Sequence, residues 1–166
     1  MKAQVLCALT IATSICTSNA LAQDRGGTKF RGISLNQSLE MTREGLKANG
    51  FDLQSTDRSS STIKRGNQEC GSIKFDAAGL SETLRLEQCY FAASGMNMKE
   101  LAQAIVNNYP VQRLEPQTIR TPMCTMTLYK GTAKTGELVG ILDACGTSPP
   151  FVSIERVLSA DKPKFN

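Results

Sequence analysis

The chain has 166 residues, 40% of them hydrophobic, with a formal net charge of +4 and neither histidine nor tryptophan. The lack of histidine removes His-based nucleophile activation, His general acids and His metal ligands. The basic residues are spread out (Arg43, Lys47, Lys74, Arg85, Lys99, Arg113, Arg156), so no dense or aromatic-interleaved stripe points to nucleic acid; the mild positive balance permits at most a weak contact with a membrane surface or an acidic partner.

In chain order, residues 1–22 read as a secretory signal peptide. Lys2 gives a short positive start, Val5 to Ile15 is mostly apolar, and Ala20-Leu21-Ala22 forms an A-x-A cleavage site before Gln23. A membrane anchor is disfavoured because the apolar run is short and broken by Thr and Ser. Lipidation at Cys16 is disfavoured because Thr13-Ser14-Ile15 is not the small-residue lead that such sites need. Removing the first 22 of the 166 residues leaves 144, with a net charge of +3 since only Lys2 is lost, and four cysteines. The expected location is therefore periplasmic or secreted, in a bacterium, after loss of residues 1–22.

Residues 23–29 are polar and Gly-rich and read as a flexible lead-in. A helix capped by Asn36 or Ser38 is expected to run to about Asn49, with Leu35, Leu39, Thr42 and Leu46 as its apolar stripe and Gly50 as its stop. Short strands follow around Phe51 to Leu53 and Thr62 to Lys64. Cys70 to Cys89 then reads as a β-hairpin: Ile73 and Phe75 alternate with polar residues on one arm, Leu84 and Leu86 on the other, about the turn Asp76-Ala77-Ala78-Gly79. After Tyr90 and Phe91 the pattern restarts. Asn97 and Glu100 form a capping box for a helix with Met98, Leu101 and Ile105 on one face, ended by Pro110. Val111 to Pro122 reads as a proline-broken strand or loop. A second hairpin spans Cys124 to Cys145, with Met126 and Leu128, then Val139 and Ile141, on its arms. The last strand is Phe151 to Val157, and residues 159–166 form a tail.

An even cysteine count in an exported chain favours two disulfides, and three connectivities are possible. Hairpin symmetry selects Cys70–Cys89 and Cys124–Cys145. A four-thiolate zinc site is disfavoured because no C-x-x-C pairs occur. The helices are offset by about 59 residues (Leu46 to Ile105) and the cysteines by 54 and 56. The expected fold is thus α+β: two tandem units, 30–93 and 94–158, each a helical segment on its own small antiparallel sheet with a disulfide-closed hairpin.

This arrangement resembles the tandem units of the secreted beta-lactamase inhibitor protein family, and a single unit is similar to the BamE (SmpA/OmlA-like) envelope domain. In the latter a Gly-hydrophobic-x-Leu-x-x-Ser start leads into the helix, matched here by Gly32-Ile33-Ser34-Leu35-Asn36-Gln37-Ser38. The second unit, with Ala92-Ala93-Ser94-Gly95-Met96, departs from it. The resemblance implies a role in binding another envelope protein and carries no contact residues over.

No catalytic set stands out. Glu40 and Glu44, four apart on the first helix, can in principle act on glycans, but with Arg43 and Lys47 beside them they read as a solvated face. No catalytic residue, cofactor or metal is expected, and the chain is read as a non-enzyme. The interface candidates are Tyr90 and Tyr129, each next to a bridged strand, and Ser148, Pro149 and Pro150 in a proline-stiffened loop. The expected function is a non-catalytic protein-binding module, an inhibitor or assembly factor for another envelope or secreted protein. The alternative is a protein that binds a small ligand or an envelope lipid.

Overall fold

The computed structural model describes residues 27–93, 95–143, 145 and 149–157. The expected signal peptide and cleavage site, the expected tail, and Ser148 of the proline loop lie outside the described residues. Helix α1 is Leu39–Lys47 and α2 is Met98–Asn108. The strands are β1 Asp52–Ser55, β2 Ser60–Arg65, β3 Gln68–Phe75, β4 Ser81–Leu86, β5 Glu115–Arg120, β6 Thr125–Thr132, β7 Leu138–Leu142 and β8 Phe151–Glu155. A 3-10 turn, Gln88–Phe91, follows β4.

The local signals work where they are strongest. Ser38 caps α1 by accepting from the Met41 N–H, and Asn97 and Glu100 form the complete capping box of α2. The first hairpin turns at Asp76, whose Oδ1 accepts from the N–H groups of Ala78 and Leu80 at 2.9 Å each. These bonds to the ionised form, with the Arg156 guanidinium beside it, hold the Asp76 carboxyl below its ordinary pKa.

The tandem-unit expectation is corrected. All eight strands form one antiparallel sheet in the order β1-β2-β3-β4-β8-β7-β6-β5. The chain does run helix then four strands twice, but the two runs do not close into separate small sheets. The last strand is inserted in the middle, pairing with β4 through Leu84↔Ile154 and Leu86↔Val152 and with β7 through Val139↔Ile154 and Ile141↔Val152. The cysteine offset is also misleading. The first bridge closes the end of the β3–β4 hairpin and the second the end of β6–β7, so they staple different strand pairs of the two runs.

Register explains why one sheet is favoured. One side carries two rows of core side chains across the whole molecule. The first runs Ile63, Gly71, Leu86, Val152, Ile141, Tyr129; the second runs Ser61, Ile73, Leu84, Ile154, Val139, Gly131. Val152, Ile141, Val139, Leu84 and Leu86 are completely buried. Leu46 of α1 and Leu101 and Ile105 of α2 join them in a single cluster, so both helices cover this one side. Separate sheets would expose the β4 and β8 ends of these rows, and a domain of half this size buries too little surface to offset that.

Two contacts tie the beginning of the described chain to the second run. The lead-in is not loose at Thr28: it is buried, and its N–H donates to Glu137 Oε1 at 3.1 Å and Thr135 Oγ1 at 3.0 Å. Further on, Phe30 packs on Tyr109, with ring centroids 5.0 Å apart.

Both bridges fit an oxidising, extracytoplasmic compartment. Cys70 is the extra residue of a β-bulge, lying between the pairs Ile63↔Gly71 and Lys64↔Glu69, and it is fully buried in the core cluster. With sequence separations of 19 and 21, each bridge is worth about 3 kcal/mol by chain entropy. Replacing Cys124 and Cys145 by serine is expected to cost about that much in urea unfolding. The same change at Cys70 and Cys89 should cost more, because it also puts a hydroxyl into the core. Equal losses for the two pairs would show that Cys70 contributes only its cross-link.

Candidate functional site: the open face of the sheet

The sheet side opposite the helices has no covering element among the described residues. Its central row runs Thr62, Ser72, Arg85, Ser153, Gly140, Lys130, Glu115. None of these is buried, whereas their neighbours along each central strand are. This face is divided. Over β2–β4 it carries hydroxyls with Lys74 and Arg85. Over β5–β8 apolar side chains flank the row's Ser153, Lys130 and Glu115: Leu142 pairs with both Leu128 and Phe151, Ile119 pairs with Met126, and Leu138 lies two residues from Gly140 on the same side.

Gly140 keeps this half open. A Cβ built there would stand 3.3 Å from Leu128 Cδ1 and 3.4 Å from Leu142 Cδ1. The shallow groove above it has a volume of about 190 Å³ and is lined by Leu128, Leu138 and Leu142 together with Lys130 and Glu155. Arg85 joins the two halves: its guanidinium carbon lies 3.9 Å from the Phe151 ring centroid while its Nε donates to Glu87 at 3.0 Å.

One end of the apolar half is a projecting turn. Thr121 to Cys124 links β5 to β6, and Met123 there is 93% exposed, far more than any other large apolar side chain described. The turn is held rigid. The Thr121 N–H and Oγ1 donate to the Cys124 carbonyl at 2.8 and 2.9 Å, the Cys124 N–H donates to Thr121 Oγ1 at 3.1 Å, and the second disulfide anchors Cys124 to Cys145. A turn backbone fixed this way loses little further freedom when its side chain enters a partner's pocket.

The aromatic candidates are placed differently from the expectation. Tyr90 is fully buried, not exposed. Its hydroxyl donates to the Phe30 carbonyl at 2.7 Å, and its ring stacks on Phe51 at 4.8 Å. Burial pushes its phenol well above the ordinary tyrosine range, so it stays protonated. The reason is compositional: with few aromatic residues, the core takes the largest one at the end of β4. Tyr129 is half-buried and points to the helix-covered side, between Pro116 and Ile141 in register. The structure therefore brings neither tyrosine to the open face. Pro149 is exposed and Pro150 half-buried; Pro149 borders a cleft beside Cys89.

The apolar residues on the two arms of the second hairpin serve opposite faces of the sheet. Met126 and Leu128 lie on the open face, while Val139 and Ile141 lie on the core face. The signal was present in β7, Leu-Val-Gly-Ile-Leu, which is apolar at four of its five positions and so supplies both faces of a strand.

Among the described residues no group of three or more acidic or cysteine side chains is placed to hold a metal, and no helix is long and apolar enough to cross a membrane. No family model matches this chain, and neither the curated proteins nor the solved structures include a significant match.

Proposed function

We propose that this protein is a non-catalytic binding module of the periplasm or extracellular space, which engages another protein there through the open face of its sheet. The observation that carries this reading is the uncovered apolar half of that face, centred on Gly140 and ending at Met123. Patches of this kind, rimmed by polar residues, mark interaction sites. Lys130, paired with Gly140 in register, together with Glu155 and Arg85 sets charged groups beside the apolar ones, the mixture that stable interfaces have. The rigid eight-stranded scaffold holds the patch in shape before the partner arrives, which favours inhibitor or assembly-factor roles over a flexible linker role.

The test uses a photo-crosslinking amino acid at Leu128 or Lys130, compared with Arg43 on the outer side of α1. Crosslinks to one defined partner are expected from the sheet positions and not from Arg43. They should disappear in Leu142→Glu and weaken in Met123→Ala, while both variants keep the parent thermal midpoint within about 2 °C, as surface changes do. Crosslinks from Arg43 alone, or full capture by Leu142→Glu, would move the interface off this face.

A further inference from the structure

We propose a second binding site, distinct from the open face: a cleft on the helix side that takes a small apolar acid, with Arg31 as the carboxylate receptor. The cleft lies between α2 and the segment that follows the 3-10 turn. It has a volume of about 530 Å³, within the range of small-molecule sites. Phe91, Met96, Leu101, Ala104 and Ile105 provide apolar wall, and Arg31 and Tyr109 stand together at one side.

The polar groups here are few and of one kind. Arg31 is the one charged side chain lining the cleft, and no carboxylate pairs with it among the described residues. A half-buried guanidinium ordinarily has such a partner. Its position is fixed by three contacts. NH1 donates to the Tyr90 carbonyl at 2.8 Å, the guanidinium carbon lies 5.7 Å from the Phe51 ring centroid, and the Tyr90 hydroxyl donates back to the Arg31 carbonyl at 3.2 Å. One N–H direction is used internally, leaving others for a ligand.

The backbone at this point is unusual. Arg31 and Gly32 have φ of 48° and 88° in the tight Phe30–Ile33 turn, a conformation that favours asparagine or glycine over arginine at the first position. Tyr109 adds a second donor, since burial raises its phenol above the ordinary range and keeps it protonated. Asn108, also on the rim, donates its Nδ2 to the Ala104 carbonyl at 2.8 Å, so that amide nitrogen is already engaged.

A cation and a neutral O–H above an apolar wall are the recognition pattern for a carboxylate on a short hydrocarbon or aromatic body. A guanidinium binds such a group through charge-assisted, directional hydrogen bonds. An alcohol of the same length retains the apolar contact but loses most of that bonding, and an ammonium of the same length meets like charge.

Octanoate, octanol and octylammonium are suitable probes, titrated into the full mature chain and followed by methyl and aromatic NMR. Octanoate is expected to saturate below its micelle concentration and to shift Met96, Leu101 and Ile105. Octanol should bind about tenfold more weakly and octylammonium more weakly still. Arg31→Gln should lose about tenfold for octanoate and leave octanol unchanged. Because Arg31 also holds Tyr90, Ala104→Trp provides an independent check: it fills the cleft without replacing Arg31 and should abolish binding of both. Equal affinity for the three probes, no saturation by octanoate, or shifts at Leu128 and Leu142 in place of the cleft residues would overturn the assignment. Since the readout is confined to the cleft, its failure would leave the open-face reading standing.

Discussion

A fragment of residues 23–94, with Cys70–Cys89 oxidised, is expected to show no cooperative thermal transition, whereas residues 23–166 melt as one unit. The expectation follows from what crosses the cut. Leu84 and Leu86 are completely buried, and Ile154 and Val152 of β8 lie beside them in register and cover one flank of each. Phe30 and Phe91 both pack on Tyr109, at 5.0 and 5.9 Å between ring centroids. Thr28 loses Glu137 and Thr135. Exposing even two core leucines forfeits about 3–6 kcal/mol, against a total of about 5–15 kcal/mol for a typical domain. The bridge, worth about 3 kcal/mol, does not restore this. Circular dichroism melts of the two chains decide the matter. A sigmoidal melt of the fragment near the full-length midpoint would mean that the β4–β8 seam adds little and that the halves are independent.

Gly71→Ala is expected to be the most damaging single methyl addition in the sheet. Gly71 sits beside the bulge at Cys70 with φ of 153°, and a Cβ there would stand 2.3 Å from the Arg85 carbonyl oxygen and 3.2 Å from Leu86 Cα. Both obstacles are backbone of the neighbouring strand, so relief requires β3 and β4 to separate where Cys70 and Leu86 enter the core. A cost of about 3 kcal/mol, or about 10 °C in thermal midpoint, is expected. Gly79→Ala is the control. Its φ is 75° in the Asp76 turn, yet nothing lies within 4 Å of the added carbon. Only the local backbone penalty of about 1–2 kcal/mol applies there. Equal destabilisation by the two changes would show that backbone conformation, and not the approach of β4, dictates glycine at 71.

Caps, turns and paired cysteines are written in neighbouring residues, and they were legible. Asn97 with Glu100, Ser38, and the Asp76 turn each specify their structure through bonds spanning a few positions. The alternation of Ile73, Phe75, Leu84 and Leu86 also assigned the first hairpin to the correct side. What failed was everything decided by strand order. Phe151 to Glu155 reads as an ordinary amphipathic strand at the end of the chain; nothing local says that it pairs on both sides, between β4 and β7. The cysteine spacing suggested equivalent hairpins because a distance along the chain does not reveal which strand pair it closes. From their starts, the helices are offset by 59 residues and the successive strands by 63, 65, 70 and 70, so the second run lengthens where the cysteine spacing shortens. Tyr90 was misplaced for a related reason: adjacency to a bridged strand sets rigidity, not exposure.

The central position of β8 also orders events in time. A chain emerging N-terminus first presents β4 well before the strand that joins it to β7, and until then β4 offers an unpaired edge beside Leu84 and Leu86. The sheet closes only when Val152 and Ile154 arrive, so the partner with which β4 pairs lies some seventy residues downstream. Such distant pairing slows folding and lengthens the interval in which open edges can join other chains. Both disulfides lie outside this seam, and the first, Cys70–Cys89, can form during that interval, whereas Cys145 of the second emerges just ahead of β8. Maturation would then proceed as one early oxidation, followed late and close together by the second oxidation and the closure of the sheet. A newly made chain would need shielding, by dilution or by a holding chaperone, between the first oxidation and the arrival of its final strand.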